Sequence, residues 1–383
     1  MSRLGTETAF EVLAKARALE AKGKHVVHLE IGEPDFETPK HIKDAAADAL
    51  YKGYTHYGPS AGLPELRQAI ADTSLAHRGV TCDPANIVVT PGAKPIMYFV
   101  MQMLVDAGDE VIYPNPGFPI YESVINFLGG VPVPIPLHME NEFRIDLYEL
   151  ERLISPKTKM LILNTPQNPT GAVLTHDDLE KIAEFAVRHN LIVLSDEIYG
   201  RILYDGTKHV SISKFPGMAE RTIILDGFSK TYAMTGWRLG YGIFPNAEMA
   251  GYIARLQTNV TSCTASFTQM AGVQALRGPQ DEADAFVLEF KRRRDEIVSG
   301  LNSVPGFTCL SPHGAFYAFP NIQGTGHDSK WLADYLLNEA GVACLSGTSF
   351  GSHGDGFLRF SYANSIENIH LAMDRVRAAV KAL

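Results

Sequence analysis

Short apolar and β-branched runs without a helical period recur through the first two thirds of the chain, each ending in a polar, small or glycine-containing stretch. Residues 87–90, 110–113, 159–164, 191–195 and 222–225 have this character. Their length and unbroken apolarity predict strands of a parallel sheet covered on both faces. Between them lie segments of helical character: an amphipathic one at 9–22 with Phe10, Leu13, Ala14 and Ala18 roughly on one face, one at 41–52, and a long apolar one from Ile96. Residues 26–31 and 241–244 also read as strands, and helical segments then run to about Gly278. Past Gly278-Pro279 the pattern changes. A long charged helix is expected at 281–304, strands near 307–310 and 314–319, a helix near 329–340, strands at 342–345 and 357–362, and a last helix from about Glu367. An α/β unit with a mostly parallel sheet flanked by helices, followed by a smaller α+β unit, is the fold this pattern predicts.

A length of 383 residues accommodates two domains, and 45% hydrophobic with 20% charged residues is the composition of an ordinary water-soluble globular protein. The net charge of -9 argues against general nucleic-acid binding, which needs excess positive charge. The one basic run, Lys291-Arg292-Arg293-Arg294, lies in a helical pattern among Glu289, Asp295 and Glu296 and reads as a solvated helix face. Cys82, Cys263, Cys309 and Cys344 are scattered without disulfide or metal-ligand spacing, so reduced thiols and no metal site are expected. The first residues lack the apolar core of a signal peptide, and the longest apolar run, near Ile96, is too short for a bilayer. A cytoplasmic protein without membrane attachment is the expectation.

Candidate chemistry gathers where the predicted strands end. In open α/β sheets ligands sit beyond the carboxyl ends of strands. After 222–225 come Ser229, Lys230 and, a short loop later, Arg238; an ammonium and a guanidinium at such a place suit a phosphorylated carbonyl compound. After 87–90 comes Pro91-Gly92-Ala93-Lys94-Pro95, where Pro95 fits a first helical turn and the free N–H groups of Ala93 and Lys94 make an anion site. The remaining strand ends carry Phe118, Asn168, and Asp196 with Tyr199 one turn later. Arg359 is a charge inside an apolar strand, and a buried arginine needs a partner.

The stretch Gly227-Phe228-Ser229-Lys230, with Ala233, Met234, Gly236, Arg238, Leu239 and Gly240, resembles the lysine-attachment signature of class I pyridoxal-phosphate aminotransferases. The other strand ends follow in the order of that family, so the resemblance runs from Gly32 to Arg359. It implies a fold type I enzyme whose large domain covers 46–279, with 1–45 and 280–383 forming a small domain. Lys230 would hold pyridoxal 5'-phosphate as a Schiff base and shuttle the substrate proton. Asp196 would pair with the ring nitrogen, Asn168 and Tyr199 with the phenolate oxygen, and Phe118 would stack on the ring. Gly92, Ala93, Lys94, Ser229 and Arg238 would serve the cofactor phosphate, with Tyr57 reaching it from the neighbouring subunit of a homodimer. Gly32 would lie against the substrate, and Arg359, with Asn168, would take its carboxylate.

The implied activity is ping-pong transfer of an amino group between an L-amino acid and a 2-oxo acid. A lyase, decarboxylase or oxidase on the same scaffold is the alternative, because the same residues serve carbanion chemistry in general. A more distant alternative is a serine hydrolase, since Gly347-Thr-Ser349-Phe-Gly351 fits Gly-x-Ser-x-Gly, with Asp355 and His370 following. One departure from the family pattern is Gly227, where many relatives carry a phosphate-binding serine; Ser229 is the nearest hydroxyl. No residue beyond Lys94 offers itself as a second cation for a dicarboxylic substrate.

Overall fold

The computed structural model describes residues 3–383. In chain order the first elements are α1 (Thr8–Glu20), β1 (Val27–His28), α2 (Lys40–Tyr51), α3 (Pro64–Thr73), β2 (Ile87–Thr90), α4 (Lys94–Leu104), β3 (Glu110–Asn115), α5 (Ile120–Leu128) and β4 (Val131–Pro136). There follow α6 (Leu147–Leu153), β5 (Thr158–Asn164), α7 (His176–Arg188), β6 (Ile192–Asp196), β7 (Thr222–Gly227), β8 (Gly240–Ile243), α8 (Ala247–Thr261) and α9 (Ser266–Arg277). The last part holds α10 (Asp281–Asn302), β9 (Tyr317–Ala318), α11 (Ser329–Tyr335), β10 (Val342–Ala343), β11 (Leu345–Ser346), β12 (Leu358–Ser361) and α12 (Ile366–Lys381).

Seven strands form one sheet in the order β2-β8-β7-β6-β5-β3-β4. β8 is antiparallel to both of its neighbours, and every other pairing is parallel. Because β8 reverses direction twice, the carboxyl ends of β2, β3, β5, β6 and β7 all emerge along one edge, as the pairings Asn164↔Asp196 and Thr90↔Gly240↔Gly227 show. That edge is where the functional candidates stand. Strand interiors such as Ile87, Val88, Val89, Leu161, Ile162 and Val193 are closed to solvent, as covering layers on both faces require.

The sheet's outer strand, β4, was not anticipated, because its sequence alternates valine or isoleucine with Pro132, Pro134 and Pro136. Proline has no N–H to donate and is confined to sheet edges. The flanking N–H groups of Val131 and Leu137 donate to Asp109 and Asn115, in line with β3. In an extended strand the proline nitrogens at the intervening positions therefore face the other way, out of the sheet.

The remaining strands are short. β10 pairs in parallel with β1, and β11-β12-β9 form an antiparallel trio. Val27 and Leu29 share a core cluster with Phe290, Ile297, Phe316, Phe360 and Val376, so the amino-terminal segment packs with the carboxyl-terminal part. Residue 46 lies within α2, whose Ile42 and Ala46 pack in one cluster with Ile70 and Ala271.

Several local expectations are corrected. The strand expected at 26–31 is only Val27–His28, and 307–310 forms no strand, only a bridge between Thr308 and Asn321. The basic run is not a uniformly solvated face. Lys291 and Arg292 face water, but Arg293 and Arg294 are buried. Arg293 donates to Asp35 at 2.6 Å and Glu289 at 3.0 Å and lies 4.7 Å from the Phe36 ring centre; Arg294 pairs with Asp205 and Asp295. The helical period puts positions 293 and 294 on the side of Phe290 and Ile297, and paired arginine stems pack there.

Candidate active site

At the carboxyl edge of the sheet lies a cavity of about 540 Å³. Lys230 enters it from the turn after β7. Its ammonium donates to the Gly32 carbonyl at 2.6 Å and has no carboxylate partner among the described residues. Burial lowers its pKa to about 8, and the nearby cations Lys94 and Arg359 add to this against the acids Glu33 and Glu7. A lysine so placed exists partly as free amine near neutrality, which is the form that attacks carbonyl carbon.

Asp196 ends β6, and its carboxylate faces the same cavity. Burial raises its pKa to about 6, opposed by hydrogen bonds from the Tyr121 hydroxyl at 2.6 Å and the Ile198 amide at 3.2 Å. The carboxylate makes no salt bridge among the described residues, so it can accept from a cationic group of a ligand. Glu197, next in the chain, is also fully buried and engages Arg78 and His209, both at 2.7 Å.

Asn164, at the end of β5, ties two strands together: its amide donates to the Asp196 carbonyl at 3.2 Å, and its oxygen accepts from the Asn168 amide at 2.9 Å. Asn168 Oδ1 in turn accepts from Arg359 Nη1 at 3.2 Å. The hydroxyls of Tyr199 and Tyr317 are 2.7 Å apart. The Tyr317 hydroxyl also explains Gly32, since a Cβ at that position would lie 2.0 Å from it.

Arg359, in β12, sits between two aromatic faces, 4.5 Å from the Tyr317 ring centre and 4.9 Å from that of Phe350. It is 4% exposed, burial lowers its pKa, and no carboxylate pairs with it among the described residues. Its Nε has no hydrogen-bond partner. A buried guanidinium with an unfilled donor lining a cavity is suited to an incoming carboxylate.

The anion end is built from α4 and the loop before β8. Lys94 is the first residue of α4 and Ala93 its N-cap, so unpaired amides point out of the helix start beside Arg238. Gly92 has φ +86°, and a Cβ there would lie 2.2 Å from Arg238 Nη2, so the guanidinium occupies space that only glycine leaves open. Ser229 lines the cavity as well. At Gly227 a side chain would meet Leu239 O and Gly240 Cα at 3.1 Å, a tight fit against backbone. Phe118 lies on the cavity wall with Lys94 Nζ 5.4 Å from its ring centre.

The structure thus brings Gly32, Ala93, Lys94, Phe118, Asn168 and Asp196 together with Tyr199, Ser229, Lys230, Arg238 and Arg359. Tyr57 stands apart from them, 89% exposed. The hydrolase constellation is not assembled: Ser349 lies in a single 3-10 turn, Asp355 accepts from Ser329, and His370 pairs with Glu296. Tyr317 and Glu7 line the cavity and Tyr121 lies buried against Asp196; none of the three was a candidate from the sequence. Only Tyr121 had a signal, standing three residues after Phe118 at the start of α5.

Residues 24–376 match the family model described as aminotransferase class I and II. The chain is 44% identical to the aromatic-amino-acid aminotransferase 2 of Thermococcus litoralis over 93% of its length and 92% of that protein. It is likewise 44% identical to the aspartate aminotransferase of Pyrococcus abyssi, over 94% of this chain and 92% of the other. Its fold superposes on the crystal structure of the aspartate aminotransferase from Rhizobium meliloti with a TM-score of 0.95 at 38% identity, covering 100% of this chain and 98% of that one. The chain belongs to the class I and II aminotransferase family and is an aminotransferase.

Proposed function

We propose that the protein transfers an amino group between an L-amino acid and a 2-oxo acid with pyridoxal 5'-phosphate held by Lys230. The observation that carries this reading is that two cations lining one cavity, the half-buried Lys230 and the buried Arg359, both lack a carboxylate partner among the described residues. Desolvated charges are ordinarily paired, so each is placed to receive a ligand group.

Bound there, the cofactor supplies a carbonyl that exchanges for the amino group and a ring that accepts electrons when the substrate α-proton leaves. Asp196 would keep the ring nitrogen protonated, and Asn168 and Tyr199 would donate to the phenolate oxygen. Phe118 would cover one ring face, and the amides of Ala93 and Lys94 with Gly92, Ser229 and Arg238 would hold the phosphate. Arg359 and Asn168 would fix the substrate carboxylate, with Gly32 leaving room beside it. The Lys230 amine, close to half neutral near pH 8, would take up and return the α-proton.

Arg238 also opens onto a wide groove with Trp237 and Phe267, and Tyr57 is free on the surface; both support a homodimer in which a second copy's Tyr57 completes the phosphate site. The division of the chain into a large unit, 46–279, and a small one, 1–45 with 280–383, belongs to the same proposal. The names of the relatives span aspartate and aromatic substrates, and glutamate with 2-oxoglutarate is proposed as one working pair.

A single-turnover experiment tests the reading. Mixed with glutamate, aspartate, alanine, phenylalanine or tyrosine and no oxo acid, the holoenzyme should release one equivalent of oxo acid and stop. Borohydride reduction of untreated holoenzyme, followed by peptide mapping, should place the label on Lys230. Continued turnover without an acceptor, or label on another lysine, overturns it.

A further inference from the structure

Glu7 is the N-cap residue of α1, and its side chain makes no capping hydrogen bond. Its carboxylate turns instead into the cavity and pairs with Lys94. The charge of Glu7 is felt by Lys230, Arg359 and Tyr317, which places it among the groups that meet the ligand. Of the other acids lining the cavity, Asp196 accepts from Tyr121, and Glu33 accepts from the Thr235 hydroxyl; neither forms a salt bridge with Lys94 among the described residues. Glu7 is 18% exposed and Lys94 50%, so the pair stands at the mouth of the cavity where water and ligand both reach it.

With a substrate's α-carboxylate at Arg359 and its α-carbon at Lys230, the wall left for the side chain includes Glu7, Ala9, Phe10 and Lys94. An apolar or aromatic side chain can pack on Ala9 and Phe10 without disturbing the ion pair. A side chain ending in a carboxylate meets a lysine that is already neutralised and a second negative charge beside it. We propose that Glu7 is a specificity-determining residue: Lys94 exchanges the Glu7 carboxylate for the distal carboxylate of a dicarboxylic substrate, and keeps Glu7 when the substrate side chain is uncharged. This inference rests on the aminotransferase reading of the cavity and adds to it the means by which one pocket takes both substrate classes.

The test is equilibrium binding of two unreactive acids to the holoenzyme, succinate as the dicarboxylate and 3-phenylpropionate as the uncharged-tail acid. A half-exposed ion pair contributes up to about 1 kcal/mol, so Glu7→Gln should tighten succinate binding by about two- to fivefold and leave 3-phenylpropionate unchanged. Lys94→Met should weaken succinate selectively, and in that background Glu7→Gln should bring no gain. Succinate binding that is unchanged or weaker in Glu7→Gln, an equal change for both acids, or a gain that persists without Lys94 overturns the proposal. The wild type serves as the separate control on the underlying reading: failure of both acids to bind it, or binding that survives Arg359→Ala, removes the substrate site itself, whereas normal binding with no Glu7 effect removes only the exchange.

Discussion

The Tyr121 hydroxyl donates to Asp196 Oδ2 at 2.6 Å, and both residues are buried at the sheet edge. Burial drives the Asp196 pKa up, and the phenol is the largest influence holding it at about 6.

In the cofactor-free protein this has a signed consequence. From the ordinary 3.8 to about 6 the folded chain keeps a proton on Asp196 that the unfolded chain has released. The folded state binds more protons in that window, so the Asp196 contribution is fully present below it and is lost as pH rises through about 6. Asp196→Asn should therefore gain stability relative to wild type as pH goes from about 4 to about 7, and Tyr121→Phe should extend the loss to higher pH. Denaturant unfolding of the apoprotein reads both; parallel profiles for wild type and Asp196→Asn would count against the assignment.

Arg359→Ala should weaken binding of amino acids and oxo acids by about 2 to 5 kcal/mol while leaving the cofactor absorption unchanged. Since Arg359 has no acid partner to leave stranded among the described residues, its loss should not lower folding stability as breaking an ion pair does. An unchanged Michaelis constant across substrates would return the residue to a packing role.

Neighbouring arginines of α10 should behave oppositely. Arg293→Ala removes the buried partner of Asp35 and Glu289 and should cost about 2 to 4 kcal/mol. Arg292→Ala, on the solvated side, should stay within about 0.5 kcal/mol. Equal chemical-denaturation midpoints for the two variants would contradict the burial pattern.

Tyr57→Phe should weaken cofactor retention although Tyr57 is exposed and does not line the cavity of its own chain. Mixing it with Lys230→Ala should restore activity, because one site of each hybrid dimer then lacks both lesions. No recovery despite demonstrated subunit exchange would place Tyr57 in the cavity of its own chain.

What was legible in the sequence was what is local. The strands that carry Asn168, Asp196 and Lys230 are continuous apolar runs, and each candidate follows one, so position and chemistry could be read together. Tyr317 and Glu7 gave no such signal. Tyr317 acts through a hydroxyl that meets Tyr199 across 118 positions, and Glu7 through a lysine 87 positions away. Charge misled in the opposite direction at Arg293 and Arg294, where composition pointed outward while the helical period of Phe290 and Ile297 pointed in. β4 carries no continuous apolar run, because proline stands at every second residue; that same spacing leaves the N–H groups of the inner ladder intact.

That spacing has a consequence for the molecule in a crowded solution. An exposed strand edge invites another chain to continue the sheet, the first step toward aggregates. Along β4 the outward ring nitrogens of Pro132, Pro134 and Pro136 offer an approaching strand carbonyls to bond but no hydrogens in return. The three prolines thus act as a chemical selvedge, ending the sheet against other chains at an edge that needs no covering helix.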